Sequence, residues 1–157
     1  MTQTVPTLGK ARTIVETFNR ETSVSIDIQA DSTIIWALLT NAADFSRWNT
    51  TVISLEGNIQ KGQRIKLKSS LDHKRTFTLT IKELEPEKKL VWGDSQGNRT
   101  FILSPVGNGT MRFSMAEKIG GLMFPLYAKY IPPFDASFEQ FAADLKKESE
   151  FINNTRK

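Results

Sequence analysis

Three charged residues, Asp94, Arg99 and Glu117, occupy positions where alternating strands should bury their side chains. An arginine between two acids can turn its planar fork of donors toward a ligand carboxylate, phosphate or carbonyl, while the acids hold the guanidinium in place and keep it ionised. The same residues would also make a structural ion-pair cluster closing the end of a sheet, because buried charges are costly unless paired. A third chemistry uses Asp94 or Glu117 as a general acid or base, its pKa raised by burial, with Arg99 stabilising a developing enolate. The residues themselves leave the first two readings open. The third needs a carboxylate that Arg99 does not already neutralise.

Two other candidates carry less. Gly93-Asp94-Ser95-Gln96-Gly97 fits the G-x-S-x-G pattern of a hydrolase nucleophile. That motif needs a helix after it and a histidine later in the chain, whereas here a strand follows and the only histidine, His73, comes earlier. A glycine-rich hairpin turn accounts for the segment. His73 sits beside Asp72 at a turn tip, with no nucleophile or second base placed to use it.

The charged row depends on strands. Arg64–Ser69, Lys74–Leu84, Lys89–Asp94, Arg99–Val106 and Thr110–Lys118 each alternate apolar with polar residues, the pattern of a sheet with one buried face. Turn residues separate them at Leu71-Asp72-His73, Pro86-Glu87, Gln96-Gly97 and Gly107-Asn108-Gly109. A three-residue loop from Gly107 to Gly109 would pair Val106 with Thr110 and, further along the ladder, Arg99 with Glu117. A turn at Gln96-Gly97 would set Asp94 opposite Arg99. The parity that buries Trp92, Phe101 and Met115 therefore also points the three charges inward. A curved sheet with charge on its inner face is better suited to a cavity than to a dry core.

Phe134, Phe138, Phe141 and Leu145 recur at steps of four, three and four, the stripe of a long amphipathic helix. Pro132-Pro133 should divide this helix from the aromatic segment before it, or bend it sharply. Phe77, Trp92, Phe101, Phe113, Met115, Tyr127, Tyr130, Phe134 and Phe138 should point into the space between sheet and helix, with Tyr127 and Tyr130 at its mouth. Earlier in the chain, Val24, Ile26 and Ile28 form a first strand. Asp31 offers an N-cap to a helix bearing Trp36, Asn41 to Trp48 suits a second short helix, and Val52–Ile59 a second strand. Residues 1–20 read as an arm, with Ile14, Val15 and Phe18 on a short helical turn.

Composition narrows the function classes. The chain has 157 residues, no cysteine, one histidine and a net charge of +4. Disulfides, thiolate chemistry and multi-histidine metal sites are thereby excluded. Its basic residues are scattered, not interleaved with aromatics in a stripe, so nucleic acid is not an expected partner. Residues 1–10 lack the apolar run of a secretory signal, no run reaches membrane-spanning length, and the expected location is cytoplasmic. Four N-x-S/T sequons, at Asn49, Asn98, Asn108 and Asn153, then read as chance matches. The outward residues Thr76, Thr78, Thr80 and Lys82 offer no apolar patch to a protein partner.

The order of these elements, together with "IDIQADSTIIWALLTNAADFSRWN", "LVWGD" at 90–94, "RTFILSPVGNGTMRFSMAEKIGG" at 99–121 and "FEQFAADLKKESE" at 138–150, resembles the SRPBCC superfamily of START, Bet v 1 and polyketide cyclase/dehydrase-like proteins. The resemblance implies an α+β helix-grip fold: a curved seven-stranded antiparallel sheet wrapped around a long C-terminal helix, with two short helices between strands 1 and 2. It implies one domain over 21–157. The superfamily spans lipid carriers, metabolite binders, chaperone activators and some enzymes. Where many members have a histidine two residues before a phenylalanine, this chain has Arg99 before Phe101, and where they often have a second histidine it has Met115. The expected function is therefore binding of a small, mostly hydrophobic or amphipathic ligand by Asp94, Arg99, Glu117 and the aromatic set, without cofactor or metal, in a monomer or homodimer without stable membrane insertion. The alternative is a cyclase/dehydrase-like enzyme using Asp94 or Glu117 with Arg99.

Overall fold

A computed structural model describes residues 7–156 of the chain; the first six residues of the expected arm lie outside the described residues. Eight strands form one antiparallel sheet: β1 (Arg12–Val15), β2 (Asn19–Ile28), β3 (Val52–Glu56), β4 (Arg64–Ser69), β5 (Asp72–Glu85), β6 (Lys89–Gly93), β7 (Gly97–Gly107) and β8 (Thr110–Gly120). Their spatial order is β1-β2-β8-β7-β6-β5-β4-β3, so the hairpin run β3 to β8 is laid down in sequence and β2 closes beside β8. The eighth strand, one more than the sequence suggested, is β1. The sequence reading puts Ile14, Val15 and Phe18 on a helical turn, but Arg12–Val15 form a strand in which Thr13 pairs with Thr22 on β2, their hydroxyl oxygens 2.9 Å apart. Four residues cannot hold a helix alone, whereas an available sheet edge satisfies their backbone groups at once.

Between β2 and β3 lie α1 (Ser32–Thr40), a 3₁₀ turn at Ala42–Asp44 and α2 (Phe45–Trp48). After β8 come a short α3 (Phe124–Tyr127), a 3₁₀ turn at Ala128–Tyr130 and the long α4 (Asp135–Thr155). Pro132 and Pro133 fall in the irregular stretch between them, which divides the helical region in two as their fixed φ and missing N–H require. α4 buries Phe138, Phe141, Ala142 and Leu145 against the concave face of the sheet, packing on β2 and α1. No described helix is long and apolar enough to cross a membrane.

Aromatic rings fill one half of the space under the sheet. Phe141 of α4 stacks on Phe113 with centroids 6.1 Å apart and lies 5.8 Å from both Phe45 and Phe101. Trp92 meets Phe101 edge-on at 4.7 Å. This half is packed solid. The other half, toward Pro132-Pro133, is where the cavity opens.

Candidate ligand-binding cavity

One row of side chains crosses six strands on the concave face. Register pairs Thr13 with Thr22, Thr22 with Glu117, Glu117 with Arg99, Arg99 with Trp92 and Trp92 with Ile81. Arg99 and Glu117 thus stand side by side on β7 and β8. Nε of Arg99 donates to Oε1 of Glu117 at 2.7 Å, and the two side chains are only 13% and 19% exposed. The guanidinium carbon lies 5.0 Å from the centre of the Phe138 ring, which presents its negative face to the cation. Nε is the only nitrogen of this guanidinium with a hydrogen-bond partner among the described residues. Neither Nη group has such a partner, and Arg99 borders the cavity.

The expected loop at Gly107 to Gly109 is a tighter device than foreseen. Asn108 (φ 55) and Gly109 (φ 73) form a two-residue turn between Gly107 and Thr110, and a bulge at Val106 restores the pairing of Pro105 with Met111. Because the bulge supplies the third residue, Arg99 still meets Glu117.

Asp94 is not in the row. The β6–β7 turn is centred on Ser95-Gln96, one residue earlier than expected, so Trp92 stands opposite Arg99 where Asp94 was placed. Oδ1 of Asp94 accepts the N–H groups of Gln96 and Gly97 at 2.8 and 3.1 Å, and its own N–H donates to the Gly97 carbonyl at 3.0 Å. The carboxylate is committed to the turn. Aspartate at the first position of a β-turn and glycine at the fourth is a familiar pattern, and "DSQG" displays it. Lys82, at a bulge in β5, braces the same turn by donating to the Asp94 carbonyl and to Oδ1 of Asn98.

The cavity itself has a volume of about 200 Å³ and lies between β4–β8 and the segment 130–134. Arg99, Glu117, Trp92, Phe77, Phe134 and Tyr130 all border it, and Asp94 reaches its rim. Phe101, Phe113, Met115 and Phe138 are instead fully buried in the packed interior and do not line it. Tyr127 is also away from the wall: its ring packs edge-on against Phe124 at 5.6 Å, and its hydroxyl points to the Gly120 carbonyl at 3.5 Å.

Two arginines escaped sequence reasoning. Arg20 on β2 donates through Nη2 to the Pro132 carbonyl at 2.8 Å and through Nη1 to that of Ile131 at 3.3 Å, with its guanidinium 4.8 Å from the Phe134 ring centre. It fastens the segment that covers the cavity. Burial pulls its pKa below the ordinary arginine value, partly opposed by the charges of Glu117 and Asp135. Arg75, at the cavity rim, lies over Phe77 at 4.5 Å. The signal for Arg20 was the alternation of Val24, Ile26 and Ile28, which continues backward through Thr22 to Arg20. For Arg75 it was the two-residue step to Phe77.

A curved antiparallel sheet gripping a long C-terminal helix, with a mostly apolar cavity at one end, defines a helix-grip protein of the SRPBCC superfamily. Within it, the chain belongs to the Activator of Hsp90 ATPase homolog 1-like protein family, whose profile matches residues 29–148. Among solved structures it is similar to a conserved protein of unknown function from Enterococcus faecalis, with TM-score 0.66 and 16% identity over 92% of this chain and 79% of that one. It is similar as well to a START superfamily protein from Mycobacterium smegmatis, with TM-score 0.62 and 12% identity over 84% of this chain and 98% of that one. The di-domain ARO/CYC protein BexL gives TM-score 0.62 and 19% identity over 86% of this chain, but only 48% of BexL is covered. At these identities the likeness is one of fold. No curated protein matches the sequence.

Proposed function

We propose that the protein binds a small, mostly apolar molecule carrying one carboxylate or comparable anionic group, held in the cavity with its polar end on Arg99. The observation that carries this reading is the half-used guanidinium: Nε is anchored by Glu117, neither Nη group has a hydrogen-bond partner among the described residues, and Arg99 borders a largely apolar cavity. An arginine so held is preorganised, and little of its side-chain freedom remains to be lost when a ligand arrives.

Trp92, Phe77 and Phe134 supply the apolar walls, and the volume suits one ring or a short chain: engineered cavities of about 150 Å³ accept benzene. A longer ligand would extend past Tyr130 into solvent. An acid/base role for either carboxylate has less support, since Asp94 is committed to backbone N–H groups and Glu117 to Arg99.

The test compares an aromatic or short aliphatic acid with its neutral amide, by calorimetry, in the native protein and in Arg99→Met. The native chain should prefer the acid. The variant should lose about 1.5–3 kcal/mol for the acid, a charge-assisted contact, and almost nothing for the amide. Equal losses would make Arg99 an organiser of the cavity and not a reader of charge. Native mass spectrometry of freshly purified protein would show what it carries.

A further inference from the structure

The end of the molecule around the cavity mouth wears apolar side chains that the fold leaves outside. α3 and the turn after it bury Phe124 and half-bury Tyr127, but Leu122, Met123, Leu126 and Tyr130 are 86%, 61%, 65% and 75% exposed. Leu122, Leu126 and Tyr130 follow at steps of four, so they share one outward side of this short helical stretch. The β1–β2 turn extends the surface: Val15 and Phe18 are 70% and 50% exposed, and the Phe18 carbonyl accepts the N–H of Gly121 at 3.0 Å. Single exposed apolar residues need no explanation, whereas a contiguous set does. The outer side of β5 carries Thr76, Thr78 and Thr80; the patch belongs to the segment after the sheet.

The segment that carries it is basic. From Lys118 to Phe134 the sequence contains Lys118 and Lys129 and no acidic residue. Lys118 borders the same depression as Phe18 and Gly121. Across the mouth, the start of β5 adds Arg75, with Asp72 on the same rim. None of these three cations has a carboxylate partner among the described residues. Tyr130 and Arg75 also border the cavity, so the patch runs without a break into its mouth.

We propose that this end of the protein docks on an anionic lipid surface. Leu122, Met123, Leu126 and Tyr130 enter the boundary between headgroups and acyl chains, Lys118, Lys129 and Arg75 meet the headgroup phosphates, and the cavity mouth faces the bilayer. Apolar insertion and basic attraction together form a reversible peripheral contact, the combination such surfaces use. A second copy of this chain is a poorer occupant, because a two-fold contact through the patch would bring like cations together. The mode of docking goes beyond the ligand reading and holds whichever molecule fills the cavity.

Co-sedimentation of the full chain with large vesicles tests it. Binding is expected to phosphatidylcholine vesicles containing phosphatidylglycerol, with much less to pure phosphatidylcholine, and salt should weaken it. Leu122→Ser/Leu126→Ser, at exposed positions, should lower the vesicle partition coefficient by about tenfold or more, and Lys129→Glu should do the same on anionic vesicles only. Both variants should keep the native melting temperature and the native affinity for a cavity ligand measured without lipid, which separates this contact from the binding function. No sedimentation with anionic vesicles would overturn the proposal, as would equal binding by the leucine variant. A native dimer that this variant converts to monomer would overturn it too, by assigning the patch to self-association.

Discussion

Arg99 is held from three sides: by the Glu117 carboxylate at 2.7 Å, by the Phe138 ring beneath it and by Trp92 opposite on β6. That environment makes the two partners unequal under mutation. Methionine in place of Arg99 removes the charge while keeping an apolar chain over Phe138, whereas Glu117→Ala leaves a poorly exposed guanidinium without its carboxylate. Glu117→Ala should therefore cost about 1–3 kcal/mol in urea unfolding, and Arg99→Met distinctly less. Negligible effects of both would show that water serves the pair as well as the protein does. Asp94 belongs to a different economy. Asp94→Ala should lose about 1 kcal/mol of turn stabilisation with ligand affinity nearly unchanged, and Asp94→Asn should recover most of it, because the amide oxygen can still accept the two N–H groups. A selective loss of acidic ligands in Asp94→Ala would return it to the binding site.

At the scale of elements, the segment between β8 and α4 governs access. It is fastened by Arg20 to the carbonyls of Ile131 and Pro132, and it carries Tyr130 at the mouth. Tyr130→Ala should speed ligand dissociation, measured by stopped-flow displacement of an apolar fluorophore, with a smaller change in affinity, since it removes a doorway and little of the wall. The β6–β7 turn is equally constrained from its other side. A Cβ on Gly93 would collide with the Gly97 carbonyl and with Asn98, so Gly93→Ala must open the turn that sets the register of Arg99. It should lower stability and ligand affinity together, unlike Asp94→Ala.

For the whole molecule, the aromatic packing around Phe141 decides where a ligand can go. With Phe45, Phe101 and Phe113 all packed on Phe141, that half is filled and the cavity lies toward Pro132-Pro133. Phe141→Ala should cost about 3–5 kcal/mol and create an apolar void within the packed rings, detectable as uptake of a neutral probe that needs no charge contact with Arg99. Surface ion pairs contribute less. Arg112 holds the Asp27 carboxyl below the usual carboxylate range, and Arg47 does the same for Asp44. Each acid has a lower pKa folded than unfolded, so its stabilisation is present above the unfolded carboxylate range and is lost as pH falls through the folded value. Both are only partly buried, so the effect is modest and screened by salt.

Alternation and turn residues were enough to read the hairpin ladder, the inward parity of Arg99 and Glu117, the break at Pro132-Pro133 and the stripe of α4 from the chain alone, because each is a local pattern. The Arg99–Glu117 pairing survived even an inexact loop, since a bulge and a longer loop shift a register equally. What escaped was set by competition between partners distant in the chain. β1 became a strand because β2 offered it an edge, and Asp94 left the row because two nearby N–H groups claimed its oxygen before the arginine could. Arg20 gained its role from a carbonyl pair more than a hundred residues away. Which inward aromatics would line a cavity and which would fill the core was likewise undecided by periodicity. Parity states the face of a side chain, but the void is whatever volume the packed rings of both layers leave over, and only the assembled fold determines that.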